Sequence, residues 1–168
     1  MSMIQPLLAE LEQEAQTLER HIAAIPDDKL GWKPHEKSWT LGQLALHTAE
    51  MPGNISEMLQ LDGVPVPDFP PPAQPATRQE ISDVLKSGLG KARELLGGMD
   101  DEKLMANWKV LKGDVAVMEM PRIAVVRGIM LNHIYHHRGQ MSVYLRLLDI
   151  AVPTTYGRSA DENPLAGI

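Results

Sequence analysis

Four stretches of this chain repeat apolar residues at intervals of three and four. That period suits amphipathic helices packed on one core. Leu7, Leu8, Leu11, Ala15, Leu18, Ile22 and Ile25 mark a first helix from about Pro6 to Ala24, ended by Pro26 and two aspartates. Leu41, Leu44, Ala45, Thr48, Met51, Ile55, Met58 and Leu59 mark a second. Thr40 and Gln43 are spaced as a capping box at its start, with Trp39 and Leu44 placed as a hydrophobic staple. Pro52-Gly53 is expected to kink or briefly break it. A third helix follows Thr77, which forms a second capping-box pair with Glu80, and stops at Gly97-Gly98. The last runs from Pro121, a favoured first helical residue, to about Leu148.

The segments between these helices differ in kind. Residues 62 to 77 carry Pro65, Pro67, Pro70, Pro71, Pro72 and Pro75 and read as an extended connection without regular structure. Its length suits a crossover or a lid. Residues 108 to 118 hold two β-prone runs around Gly113-Asp114, the pattern of a small β-hairpin. The fold expected is all-α: a four-helix bundle in one domain, residues 1–168, with a long proline-rich connection and a small hairpin before the last helix.

Composition removes several function classes. The chain has 168 residues, a formal charge of −6 and no cysteine. Without cysteine there is no disulfide, no thiolate nucleophile and no thiolate-held metal. No basic run tracks phosphates, so no nucleic-acid partner is expected. No stretch approaches the roughly 20 apolar residues of a membrane span, and the N-terminus lacks a signal-peptide pattern. A cytoplasmic protein is expected. Glycine-rich phosphate loops, GxSxG and HExxH are absent.

Histidine carries the remaining chemistry. His133 and His137 are four residues apart in the last helix, which places both imidazoles on one face, one turn apart. That face is the apolar one, where unpaired imidazoles would be poorly solvated. His47, on the flank of the second helix's apolar face, joins them if the two helices face each other. A divalent cation would satisfy all three rings together. His136 points about 100° away from His137, toward the polar side. His21 and His35 read as structural or loop residues, the ten methionines as core filler. Glu50, one turn after His47, is placed to orient that imidazole.

Three motifs in order carry a family likeness: Ser38-Trp39-Thr40-Leu41-Gly42-Gln43-Leu44-Ala45-Leu46-His47, then His133-Ile134-Tyr135-His136-His137-Arg138-Gly139-Gln140, then Tyr156-Gly157-Arg158-Ser159-Ala160-Asp161-Glu162. The chain resembles the DinB/YfiT-like superfamily over most of its length. The resemblance implies an up-down-down-up four-helix bundle, often a homodimer. It implies a divalent metal, zinc or nickel first and manganese or iron after them, held by His47, His133 and His137. It also implies a small-molecule substrate, with a low-molecular-weight thiol as co-substrate in some relatives. The family name reflects induction by DNA damage and implies no polymerase chemistry.

Three readings follow. One is a metal-dependent transferase of the thiol S-transferase type, or a hydrolase, with its catalytic base unassigned. Another is a non-catalytic metal-binding or stress-related dimeric bundle protein. The last is a helical interaction module without metal. The proline-rich connection and the 156–163 tail are expected to shape the site mouth.

Overall fold

The computed structural model describes residues 2–68 and 70–164. Four long helices follow from the apolar periods: α1 (Ile4–Ala23), α2 (Leu41–Met58), α3 (Arg78–Gly97) and, after a short α4 (Asp101–Met105) and a leading turn α5 (Arg122–Val125), α6 (Asn132–Leu147). They share one core. Ile4, Leu11, Leu18 and Ile22 come from α1, Leu41, Leu44 and Ala45 from α2, Ile81, Leu85 and Leu96 from α3, and Ile134, Met141 and Leu145 from α6. Helix α2 packs against α3 on one side and α6 on the other, and α1 packs on α3 and α6.

Local chemistry sets the helix starts. Thr40 accepts from the Gln43 amide while Gln43 accepts from the Thr40 amide, the reciprocal capping box read from sequence. At α3 only half of that pattern forms. Thr77 accepts from Glu80 N at 3.2 Å, but the Glu80 carboxylate reaches back to Ala76 N instead. Asp100 caps α4 through Lys103 N at 2.7 Å.

Pro52 does not interrupt α2, contrary to the expected break. A methyl group built on Gly53 would lie 3.2 Å from Gly88 Cα, and one on Gly88 would lie 3.1 Å from Gly53 N. The two helices therefore meet backbone to backbone at this point. That packing holds the helix through its proline, where local propensity alone predicts an end.

The all-α expectation also needs correction. Residues Gly63–Pro65 form a strand, β1, inside the connection expected to be irregular. It pairs in parallel with β2 (Asn107–Lys112), which pairs antiparallel with β3 (Val115–Pro121), giving a three-stranded sheet in the order β1-β2-β3. Gly63 makes the parallel pairing feasible, because a methyl group there would lie 2.8 Å from Lys109 O. Gly113 begins the two-residue connection between β2 and β3 with φ +61°, the position glycine takes in a type II′ turn. Trp108 and Val110 turn the sheet's inner face toward the core, and Trp108 Nε1 donates to Met58 O at 3.2 Å.

Arg122, which the sequence reading passed over, ties these parts together. Its guanidinium is 2% exposed yet donates to Leu59 O, Leu61 O, Ala106 O, Asn107 O and the Asp62 carboxylate, at 2.7–3.3 Å. Carbonyls left free by the end of α2 are thereby satisfied by one planar five-donor group. Between α5 and α6 the chain makes a π-helical segment, Val126–Leu131, also absent from the sequence reading. This segment leads directly into His133.

Candidate metal centre

His47 stands on α2 two turns after its capped start, and His133 and His137 stand one turn apart on α6. Because α2 and α6 pack side by side, the three rings meet. His47 Nε2 and His133 Nε2 are 2.9 Å apart, and one ligand nitrogen from each of the three rings lies within 4.8 Å of the others. Ring centroids are separated by 4.4 Å for His133–His137, 5.0 Å for His47–His137 and 5.1 Å for His47–His133.

Burial makes these imidazoles weak bases. Desolvation, then the neighbouring His137 and His133 rings, pushes His47 down to about 4. Burial also lowers His133, with His136 adding to the effect. His137 is lowered by burial against a partly opposing hydrogen bond to Gln140. All three are neutral at pH 7, the state in which an imidazole has a lone pair to give.

The surroundings hold the rings in place. His137 Nδ1 donates to Gln140 Oε1 at 2.6 Å, so its Nε2 is left as the acceptor nitrogen. Gln140 was missed from sequence; its position three residues after His137 on the same helix was the available signal. Trp39, expected as a staple to Leu44, stands edge-on to His47 at 5.0 Å and 6.1 Å from His137. His136 is exposed, as its helical angle requires, with its ring 4.9 Å from that of His137.

Other expectations fall differently. Glu50 makes no hydrogen bond to His47 among the described residues. It lines a cavity of about 660 Å³ between α2 and α3, with Gly53, Asn54, Thr77, Asp83 and Gly88. Its side chain serves that α2–α3 cavity rather than the histidines. His21 is a buried structural residue, bridging Thr17 O at 2.8 Å and Ser142 Oγ at 3.1 Å. His35 stays in an exposed loop.

The proline-rich connection does reach this end of the molecule. Gln43 Nε2 donates to Pro72 O at 2.9 Å, one helical turn before His47. The tail instead anchors on the α1 side. Tyr156 donates to Glu14 at 2.8 Å and accepts from Arg138 at 2.5 Å, Glu162 pairs with Arg20, and Asp161 pairs with Arg146.

The DinB family model matches residues 1–164. The chain belongs to the DinB family. It is also similar to "Uncharacterized protein YrdA" of Bacillus subtilis (strain 168), at 27% identity over 153 residues, 90% of this chain and 86% of the relative. Its fold is similar to a crystal structure of a DinB-like protein from Bacillus cereus ATCC 10987, with a TM-score of 0.74 and 23% identity over 91% of this chain and 97% of the other. A second DinB-like protein, YjoA of Bacillus subtilis, gives a TM-score of 0.69 and 15% identity over 90% and 97%. These likenesses concern the fold. The three-histidine group is a property of this chain's own side chains, and its donor set suits a divalent ion. Three nitrogens bound to one tetrahedral ion at about 2.0–2.1 Å sit roughly 3.3–3.4 Å apart. That value lies inside the span observed among the three rings.

Proposed function

We propose that this DinB protein is a divalent-metal-dependent enzyme acting on a small organic molecule. The reading is a transferase of the small-molecule-thiol S-transferase type, or a hydrolase. The observation that carries it is the convergence of three neutral imidazoles, and no carboxylate among the described residues, on one point between α2 and α6. Three neutral ligands leave an ion its full charge and open coordination positions, the character of catalytic rather than closed structural sites. Such an ion supplies Lewis-acid charge that acidifies a coordinated water or thiol. His47, His133 and His137 would be its ligands. Gln140 holds the His137 tautomer, and Trp39 covers one side of the rings. Imidazole suits zinc and nickel first, with manganese and iron as further occupants. The four long helices are read as the up-down-down-up bundle of the family, assembled as a cytoplasmic homodimer. A chain without cysteine would take a thiol as a co-substrate.

A second reading, a non-catalytic metal-binding protein, draws on two observations. The cavity between α2 and α3 is lined by none of the three histidines, and no carboxylate hydrogen-bonds to the three rings among the described residues.

Metal content per chain, measured on protein without a histidine tag and beside His133→Ala, tests the shared foundation. Near-stoichiometric metal in the parent, lost in the variant, is expected. A parent that neither carries nor takes up metal would end both readings. Cobalt substitution then separates them. A visible spectrum that shifts with azide or a thiol supports an open, catalytic position, and an indifferent spectrum supports the structural one.

A further inference from the structure

The stripe of α6 that carries His133 and His137 continues past them, and the side chains beside it are unusual for this molecule. The chain has three tryptophans, three tyrosines and one phenylalanine. Its core is built from Leu, Ile, Ala and Met, with Trp108 as the one fully buried aromatic among the described residues. Trp39 stands against His47 and His137. Trp32 meets Tyr144 edge-on at 5.7 Å. His133, His137, Gln140 and Tyr144 share one stripe of α6, within about 60° of arc. Tyr144 lies seven residues beyond His137, about 10 Å along the helix axis. Leu41 N donates to Trp32 O at 2.8 Å, which pins the Trp32 loop across the start of α2. The result is a strip running from the metal ligands through Trp39 and Gln140 to Trp32 and Tyr144.

The polar atoms of these side chains distinguish the strip from ordinary packing. Elsewhere the aromatic donors are engaged: Trp108 Nε1 with Met58 O, Tyr135 OH with Glu10, and Tyr156 OH with Glu14. The indole N–H groups of Trp32 and Trp39 and the Tyr144 hydroxyl have no hydrogen-bond partner among the described residues. The Gln140 Nε2 amide is also free, while its Oε1 serves His137. Trp32, Trp39 and Tyr144 are only half-buried, and none of their polar atoms is among the buried unsatisfied ones. Water therefore meets donors and aromatic surface side by side, the composition of a small-molecule subsite.

We infer that Trp32, Trp39, Gln140 and Tyr144 form the subsite for the organic body of the substrate, which is a flat aromatic group carrying a hydrogen-bond acceptor such as a carboxylate. The aromatic faces take the body and the free N–H and O–H donors take the acceptor. Its function as a substrate site rests on the metal centre proposed above, but its binding can be read separately.

The probe is 3-phenylpropanoate, which has an arene and a carboxylate but no thiol. The full chain is labelled with 5-fluorotryptophan, and its three resonances are assigned with Trp32→Phe and Trp39→Phe. Titration is expected to move the Trp32 and Trp39 signals and leave Trp108, the buried hydrogen-bonded control, in place. Hexanoate, with the same charge and no ring, is expected to bind more weakly. Trp32→Ala and Tyr144→Ala are each expected to weaken 3-phenylpropanoate binding roughly 3- to 10-fold, the range of an aromatic contact, with metal content unchanged. Trp32 and Trp39 signals that stay still, or that move equally with hexanoate, would overturn the subsite. So would full affinity in both variants. Signals that move in a chain taking up no metal would keep the subsite and remove the metal reading. Metal uptake with still signals would do the reverse.

Discussion

The Nε2 atoms of His47 and His133 lie 2.9 Å apart across 86 residues of sequence. Two neutral imidazoles at that distance share one proton, with one ring donating and the other accepting. His137 is turned toward them by its own bond to Gln140. The second ring of the helical pair is thus held from outside the cluster, which makes Gln140 the residue whose loss isolates ring orientation from ligand identity.

Gln140→Leu removes the acceptor for His137 Nδ1 and leaves all three imidazoles. Metal affinity is expected to fall about 10- to 100-fold, as for other partners of a ligating histidine. Gln140→Glu, which retains an acceptor at that position, is expected to fall less. Competition with a chelator of known affinity measures both, and equal affinities in parent and Gln140→Leu would contradict this role.

The metal-free protein should lose stability on acidification. His47 has a folded pKa of about 4 against 6.5 in the unfolded chain, and His133 and His137 are lowered in the same direction. Between those values the unfolded state binds protons that the folded state does not, so stability rises with pH across roughly pH 4 to 6.5 and is flat above that window as far as these groups are concerned. Urea midpoints of chelated protein near pH 7 and pH 5 should show the drop. His47→Gln should show a smaller one.

Arg122→Lys keeps the charge and loses the fork. A lysine supplies three donors where five are used, leaving carbonyls at the end of α2 and around Ala106 without partners. A loss of about 2–4 kcal/mol is expected from buried groups left unsatisfied. The urea midpoint should fall at constant slope.

Tyr156→Phe takes the hydroxyl away from Glu14 and Arg138, a pair that is 8% and 2% exposed. The ring itself is exposed, so the cost is set by the hydroxyl alone, about 1 kcal/mol. A fall in Tm of about 2–4 °C is expected for a chain of this size. An unchanged Tm would show that water replaces the hydroxyl freely.

Two glycines should respond in opposite directions to alanine. At Gly88 the new methyl meets the Gly53 backbone at 3.1 Å, and neither helix can yield easily, so a loss of about 1–3 kcal/mol is expected. At Gly139 the space is open and the position is exposed and helical, so a gain of about 0.5–1 kcal/mol is expected. Thermal melts of the two variants decide this.

By itself, the sequence determined whatever depends on neighbours along the chain. The apolar period placed α1, α2 and α3 within a few residues of their bounds and the end of α6 within one, while the single last helix expected from Pro121 is divided into α5, the π-helical segment and α6. Thr40 and Gln43 marked the start of α2, and the four-residue spacing put His133 and His137 on one face. His47 could be named from its motif and its helical angle. Its meeting with the pair required α2 and α6 to pack together. Only the tertiary structure decided that Pro52 would stay helical against Gly88, that Gly63–Pro65 would pair with β2 over 40 residues away, and that Glu50 would face α3. It also decided that one arginine would satisfy the end of α2, and that a π-helical segment would lead into His133. A helical period is written in residues a few positions apart and is stabilised by bonds between them. The partner of a face, strand or buried charge is chosen by burial and hydrogen bonding among residues distant in the chain, and that choice exists only once they are packed.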